Sequence, residues 1–268
     1  MPDKREHRGP HPSDAALFAP ARLGPLREAL ADFSLLRSKG YADKSALKLV
    51  GDRFALTQRQ RLAIMRSACS DAQRQSRLSR RVPISDLAGR TLAIDGYNLL
   101  ITVEAAMSGG LIFQGRDGCF RDLASIHGTY RKVEETIPAL ELIGKFLAGI
   151  GVVGALWLLD SPVSNSGRLK TLITNLARQH HWPWHVRLSL NPDAELRGLL
   201  TVHSSPFPVP SKPSTDNREL PTANCDLPPI VVTTDSVILD ACGQWTNLAA
   251  EIITHRLPET PVIDLARS

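Results

Sequence analysis

Two kinds of hydrophobic spacing divide the chain. From Pro25 the apolar positions Leu26, Leu30, Phe33 and Leu36 recur at helical intervals. Gly40 predicts the stop, because glycine takes the left-handed cap conformation without strain. Asp43 or Ser45 starts a shorter helix through Ala46, Leu47 and Leu49, which Gly51 is expected to break. Thr57 is the N-cap of a longer helix carrying Leu62, Ala63, Met65 and Cys69, with Arg59, Arg61, Arg66 and Arg74 along it. Residues 21–85 thus read as a basic helical module. Residues 1–20, with four prolines and no periodicity, read as a flexible tail.

Beyond residue 86 the spacing changes to short apolar runs that end in an acid. Leu92-Ala93-Ile94 runs into Asp95, Trp157-Leu158-Leu159 into Asp160, and Ile230-Val231-Val232 through two threonines into Asp235. Between them lie helical patterns over Leu99–Met107, Glu134–Leu147 and Leu169–His180. Leu111-Ile112-Phe113 is a short strand or hairpin arm, and Gly115-Arg116-Asp117-Gly118 a turn beside which Asp122 and His127 are weaker site candidates. Val186–Leu190 is a further strand. Asn191-Pro192-Asp193 opens a helix, where Asp193 reads as a first-turn acid complementing the dipole. Pro261–Leu265 is the final strand. Strands alternating with helices predict an α/β domain over residues 86–268, interrupted at 204–229 by a proline-rich loop.

Charge sharpens this division. Residues 1–90 hold 18 Lys/Arg against 9 Asp/Glu, whereas the remainder holds 14 against 18. A basic module joined to an acidic one fits a polyanion grip beside a metal centre, with Arg59, Arg66 and Arg116 among the candidate phosphate contacts. It equally fits arginines that pair with the acidic module. The four cysteines form no metal-binding pair. The polar N-terminus and the lack of a long apolar run lead us to expect a cytoplasmic protein without a membrane span.

The chemistry follows from the acids. Ligands gather at the carboxyl ends of strands in α/β sheets. Three strands ending in Asp95, Asp160 and Asp235 would place three carboxylates on one rim. Such a set repels itself unless a hard cation, Mg²⁺ or Mn²⁺, compensates. Asp240, five residues beyond Asp235, is a fourth candidate ligand. Asn98 would hold a water or fix the Asp95 loop. Ser164, Ser166, Arg168 and Lys170 surround a helix start able to hold a phosphate, or the serines simply cap it.

Ile94-Asp95-Gly96-Tyr97-Asn98 resembles the D-G-x-N opening of NYN-type ribonucleases. Thr233-Thr234-Asp235-Ser236 followed by Asp240 resembles the late T/S-x-D segment of PIN-like domains. With Ser38-Lys39-Gly40-Tyr41 and Leu49-Val50-Gly51-Asp52-Arg53 ahead of it, the chain also resembles the DUF434 family. The resemblance implies a three-layer α/β/α domain with a mostly parallel sheet and Mg²⁺- or Mn²⁺-dependent RNA cleavage. The acid many PIN nucleases carry on the helix after the first aspartate has only Glu104 to match it. The Asp160–Gly167 segment is more elaborate than in an ordinary PIN domain. RNA is the expected partner and DNA the alternative; a homodimer has no interface signature. Two other readings stay open: a non-catalytic RNA-binding protein on the same scaffold, and a small-substrate phosphatase or nucleotide hydrolase.

Overall fold

The structure, a computed structural model, describes residues 6–124, 128–199 and 227–267. His127, Cys225 and residues 204–226 of the proline-rich loop therefore lie outside the described residues. The first part of the chain is helical: α1 (Asp14–Leu17), α2 (Pro20–Ser38), α3 (Asp43–Arg53), α4 (Gln58–Ser67) and α5 (Asp71–Arg80). Gly40 ends α2 at a φ of +82°. Two expectations fail here for physical reasons. Gly51 does not break α3; it lies inside it, where a Cβ would meet the Arg61 guanidinium at 2.3 Å. The long helix from Thr57 is two helices, because Ser70 and Gln73 form a second capping box after that of Thr57 and Gln60. Of the segment expected to be loose, residues 6–20 are tied down. Asp14 is buried against Arg59, Phe18 joins the helical core, and Arg8 reaches the buried Glu104.

The α/β part runs β1 (Thr91–Asp95), α6 (Gly96–Met107), β2 (Ile112–Gln114), β3 (Phe120–Arg121), α7 (Thr136–Gly149), β4 (Gly154–Asp160), α8 (Ser166–Gln179), β5 (Trp184–Ser189), α9 (Pro192–Gly198), β6 (Ile230–Val232), α10 (Ser236–Leu239), β7 (Trp245–Thr246), α11 (Leu248–Arg256) and β8 (Val262–Asp264). The main sheet has the order β5-β4-β1-β6-β7, parallel throughout. Alternation along the strands assigns its two faces. Leu92, Ile94, Trp157 and Val232 pack with α6, α7, α8 and α11. Ala93, Leu156, Leu158 and Val231 pack with Leu196 of α9 and with Ile238 and Leu239 of α10. This is a three-layer α/β/α arrangement preceded by a helical module. A small second sheet, β3-β2-β8, seats that module: Phe113 and Leu265 share a core with Leu30, Phe33 and Ile64.

The arginine surplus is largely spent inside the molecule. Arg77 of α5 is fully buried, with Asp117 at 2.5 Å, Asp240 at 2.7 Å and the Ser236 carbonyl at 3.3 Å. Arg80 donates to the Leu239 carbonyl at 2.7 Å and to that of Cys242. The Trp245 indole in turn donates to the Arg77 carbonyl at 2.8 Å. No helix among the described residues is long and apolar enough to cross a membrane.

Candidate active site

Parallel register sets the acids. Asp95 closes β1, where it faces Leu158 of β4; Asp160 closes β4, where it faces Ser189 of β5. On the other side Ile94 faces Val232, so β6 ends level with β1 and passes directly into Thr233-Thr234-Asp235. Because β4 and β6 flank β1, the strand order reverses there, which is where α/β sheets open a crevice at their carboxyl ends. The threonines fasten the rim. Thr233 Oγ1 donates to Asp95 Oδ2 at 2.8 Å and accepts from the Asp235 N–H at 3.0 Å. Asn98 Oδ1 accepts from both the N–H and the hydroxyl of Thr234, at 2.9 and 3.0 Å. Asn98 thus locks the turn after β1 to the turn after β6. Asp235 caps α10, accepting from Val237 N–H at 2.7 Å and Ile238 N–H at 3.2 Å.

A fourth acid joins them. Asp193, on the first turn of α9 after β5, acts electrostatically on both Asp95 and Asp160. Burial, then the charges of Asp235 and Asp193, push the Asp95 carboxyl up to about 7, against the Thr233 hydroxyl and the Asn98 N–H that favour its ionised form. Burial and then Asp193 raise Asp160; burial and then Asp235 raise Asp193. A group raised in the folded state stabilises most below its unfolded value and loses that contribution as pH climbs through the folded one. Metal-free protein should therefore lose about 2 kcal/mol from Asp95 between about pH 4 and pH 8. That is about half of what so large a shift carries in full, because Asp95 lies at the sheet's rim and the residue as a whole is only part-buried. Thermal unfolding of wild type and Asp95→Asn across that range measures it. Parallel curves would show that the acid carries no such load.

Comparison with known proteins places this rim in a family. The profile described as "Domain of unknown function (DUF5616)" matches residues 84–251, which contain all four acids. The chain belongs to this family. A second profile, "Protein of unknown function (DUF434)", matches residues 25–80, the helical module alone. The resemblance to DUF434 thus holds for that module and not for the acidic domain. The chain is similar to "Uncharacterized protein MJ0935" of Methanocaldococcus jannaschii, at 29% identity over 180 residues, covering 67% of this chain and 86% of the relative. No solved structure matches it.

The remaining predicted residues fall into two groups. Near the rim, Ser166 is buried and donates to the Ser161 carbonyl at 3.3 Å, and Ser164 pairs through its backbone with Gly128 and Tyr130. Neither serine caps α8: Asn165 stands at the N-cap in the left-handed region at φ 69°, and no side chain bonds the helix end. Arg168 and Lys170 are exposed on its first turn. The other group is used elsewhere. Asp240 is C-terminal to the four-residue α10, where Arg77 and Gln73 hold it, the latter at 2.6 Å. Arg59 pairs with Asp14, Arg66 donates to the Asp122 carbonyl at 2.6 Å, and Arg116 binds the Cys69 carbonyl and Asp71 at 2.7 and 2.8 Å. Glu104 is fully buried, with its oxygens on Arg8, the Tyr130 hydroxyl and Thr136. A cleft of about 900 Å³ runs from the rim to the helical module, lined among others by Tyr97, Asn98, Arg66, Arg121, Asp235 and Asp240. Its arginines face acids, so it is mixed rather than basic.

The donor chemistry of the rim suits a hard cation. Four carboxylates are hard oxygen donors, and burial first, then the neighbouring acids, raises Asp95, Asp160 and Asp193, so a cation at the rim would favour their ionised forms. Among the described residues, however, no three of these acids bring an oxygen each within 4.8 Å of one another. The expected closed three-aspartate cage is therefore not formed, as follows from repulsion and from the bonds Asp95 and Asp235 already make. Mg²⁺ commonly takes one or two carboxylates and keeps several waters, so the set fits it in that looser mode. Glu6, His7 and Glu134, all exposed, do offer ligand atoms within 4.8 Å of one another and can hold a metal ion. Sequence reading missed this group because it joins the N-terminal segment to residue 134. His7 is raised above its ordinary value, chiefly by its 2.6 Å hydrogen bond to Glu135.

Proposed function

We propose that this protein is a metal-dependent nuclease that hydrolyses RNA phosphodiesters at the rim of Asp95, Asp160, Asp193 and Asp235. The observation that carries the reading is the placement of these four acids at the carboxyl ends of β5, β4, β1 and β6, where the strand order reverses. Asp95 and Asp235 would hold Mg²⁺ or Mn²⁺, with Asp160 and Asp193 adding negative charge beside them. When bound, such an ion supplies a water of lowered pKa and neutralises charge on the phosphoryl oxygens. Thr233 fixes the Asp95 carboxyl through its hydroxyl, and Asn98 keeps the turns after β1 and β6 at one spacing. The start of the 14-residue α8, which no side chain caps, would with Arg168 and Lys170 take a neighbouring phosphate. RNA rather than DNA is assigned from the likeness of Ile94–Asn98 to NYN-type ribonucleases.

The test is a cleavage assay of the full chain against single-stranded RNA, DNA and free nucleotides with Mn²⁺, Mg²⁺ or EDTA. RNA cleavage that EDTA abolishes and Asp193→Asn lowers about tenfold or more is expected, since residues behind a metal typically weigh that much. No cleavage of any substrate, with Asp235→Asn indistinguishable from wild type, sinks the proposal. Hydrolysis confined to nucleotides would transfer the site to a small-substrate phosphatase.

A further inference from the structure

Tyr97 stands out in the search because its hydroxyl is buried without a hydrogen-bond partner among the described residues, while the residue as a whole is only 5% exposed. Leaving a buried hydroxyl unpaired is unfavourable, and native structures seldom do so without a use for it. Its surroundings identify the use. The turn that carries it is pressed onto the end of β4: a Cβ on Gly96 would lie 2.5 Å from Leu159 Cδ2 and 2.8 Å from the Leu158 carbonyl. Only glycine permits that approach. The next residue in the helix is Tyr97; the next residue in the strand after Leu159 is Asp160. On the far side the Tyr97 ring meets Tyr130 at 5.4 Å between centroids. Tyr130 is bound through its backbone to Ser164 and Asn165, which belong to the loop that Asp160 opens. Tyr97 thus stands beside the end of β4 and the loop that follows it, and the Asp160 charge acts on its hydroxyl.

We propose that Tyr97 is a positioning residue for Asp160. In the cation-loaded protein its hydroxyl donates to an Asp160 carboxylate oxygen and holds that acid in the orientation in which it supports the ion. The inference rests on the metal reading of the rim. Hydrogen bonds to the groups that surround a metal typically change its affinity by about 10- to 100-fold.

The experiment is Mn²⁺ binding to the full chain, followed by calorimetry and by electron paramagnetic resonance, for wild type, Tyr97→Phe, Asp160→Asn and the double variant. Without metal, Tyr97→Phe should melt at or above the wild-type temperature, because it removes an unpaired group. With Mn²⁺ its Kd should be about tenfold weaker. Asp160→Asn should weaken binding at least as much, and adding Tyr97→Phe to it should do nothing more, as expected for two groups acting as one. A Tyr97→Phe affinity within twofold of wild type overturns the inference and leaves the metal reading standing. So does a clear fall in its metal-free melting temperature, which would reveal a structural bond. Wild-type protein that takes up no Mn²⁺ at the rim overturns both.

Discussion

Replacing Asp95 with asparagine should abolish metal-dependent cleavage, lowering the rate by at least about a thousandfold, and yet leave a folded protein. The size follows from losing transition-state charge stabilisation of about 4 kcal/mol, the scale of deleting a principal electrostatic group from a site. The direction of the stability change makes the prediction specific. Asp95 is pushed up to about 7 by burial and by two neighbouring acids, so above that pH the metal-free fold must hold a carboxylate it disfavours. Asparagine keeps the shape and an acceptor for Thr233, and removes the charge. The variant should therefore melt higher than wild type at pH 8, with the gap closing towards pH 5. Mn²⁺ should raise the wild-type melting temperature by more than that of the variant. Single-turnover cleavage of labelled RNA, together with scanning calorimetry at the two pH values, reads all three effects. A variant that still cleaves within tenfold of wild type would remove Asp95 from the chemistry.

Asp117→Ala should cause the largest loss of stability of any single side-chain change argued from this fold, about 3–5 kcal/mol. Asp117 is 1% exposed and stands between two guanidinium groups. Its oxygens accept from Arg121 at 2.9 and 2.7 Å, from Arg77 at 2.5 Å and from the Cys119 N–H at 3.1 Å. Burial alone would raise this carboxyl, but Arg121 and then Arg77 hold it well below the usual range. Its contribution is present above the unfolded value near 4 and is lost as pH falls below it, so acid should unfold the protein through this residue. Alanine leaves Arg121 buried with the Thr234 carbonyl but no acid, and Arg77 with Asp240 as its remaining acid. A fall in melting temperature of roughly 10 °C at pH 7 is expected for a chain of this size. Adding Arg121→Met should recover part of it, because the penalty arises from the stranded charge and not from lost packing. A shift below about 2 °C would show that water or another acid already serves these arginines.

How far the sequence could be read depends on whether the deciding property is local. The runs ending at Asp95, Asp160 and Asp235 were legible because a strand buried on both faces is continuously apolar, and its end is marked by the first acid. The α/β class followed from helical patterns between those runs, and the three layers from the resemblance. Asp193 was passed over because β5 carries His185 and Arg187 among its apolar residues, so its end is not marked, and because an acid after Asn-Pro is fully explained as a helix start. The arginines were the opposite case. Arg59, Arg66 and Arg116 look like surface charge along the chain, and only the fold brings Asp14, the Asp122 carbonyl and Asp71 to meet them. Asp240 was read by its distance from Asp235, five residues along, but α10 is four residues long and turns that acid towards Arg77. Tyr97 lies inside the very stretch that carried the resemblance, and nothing in a sequence records that a hydroxyl lacks a partner.

Arg77 and Arg80 also bear on how this protein can be divided. They come from the segment matched by one family profile and bind the Ser236, Leu239 and Cys242 carbonyls in the segment matched by the other. Local N–H groups serve the Ser236 and Ile238 carbonyls of α10, and donors from α5 serve those of Leu239 and Cys242. The turn that presents Asp235 is thus completed by donors that lie more than 150 residues upstream. A cut between residues 80 and 84 would follow the seam in the sequence and tear the folded object: the acidic half would keep its carboxylates and lose the scaffold that spaces them. The two halves fold as one object, and the basic one is the mould in which the acidic one is set.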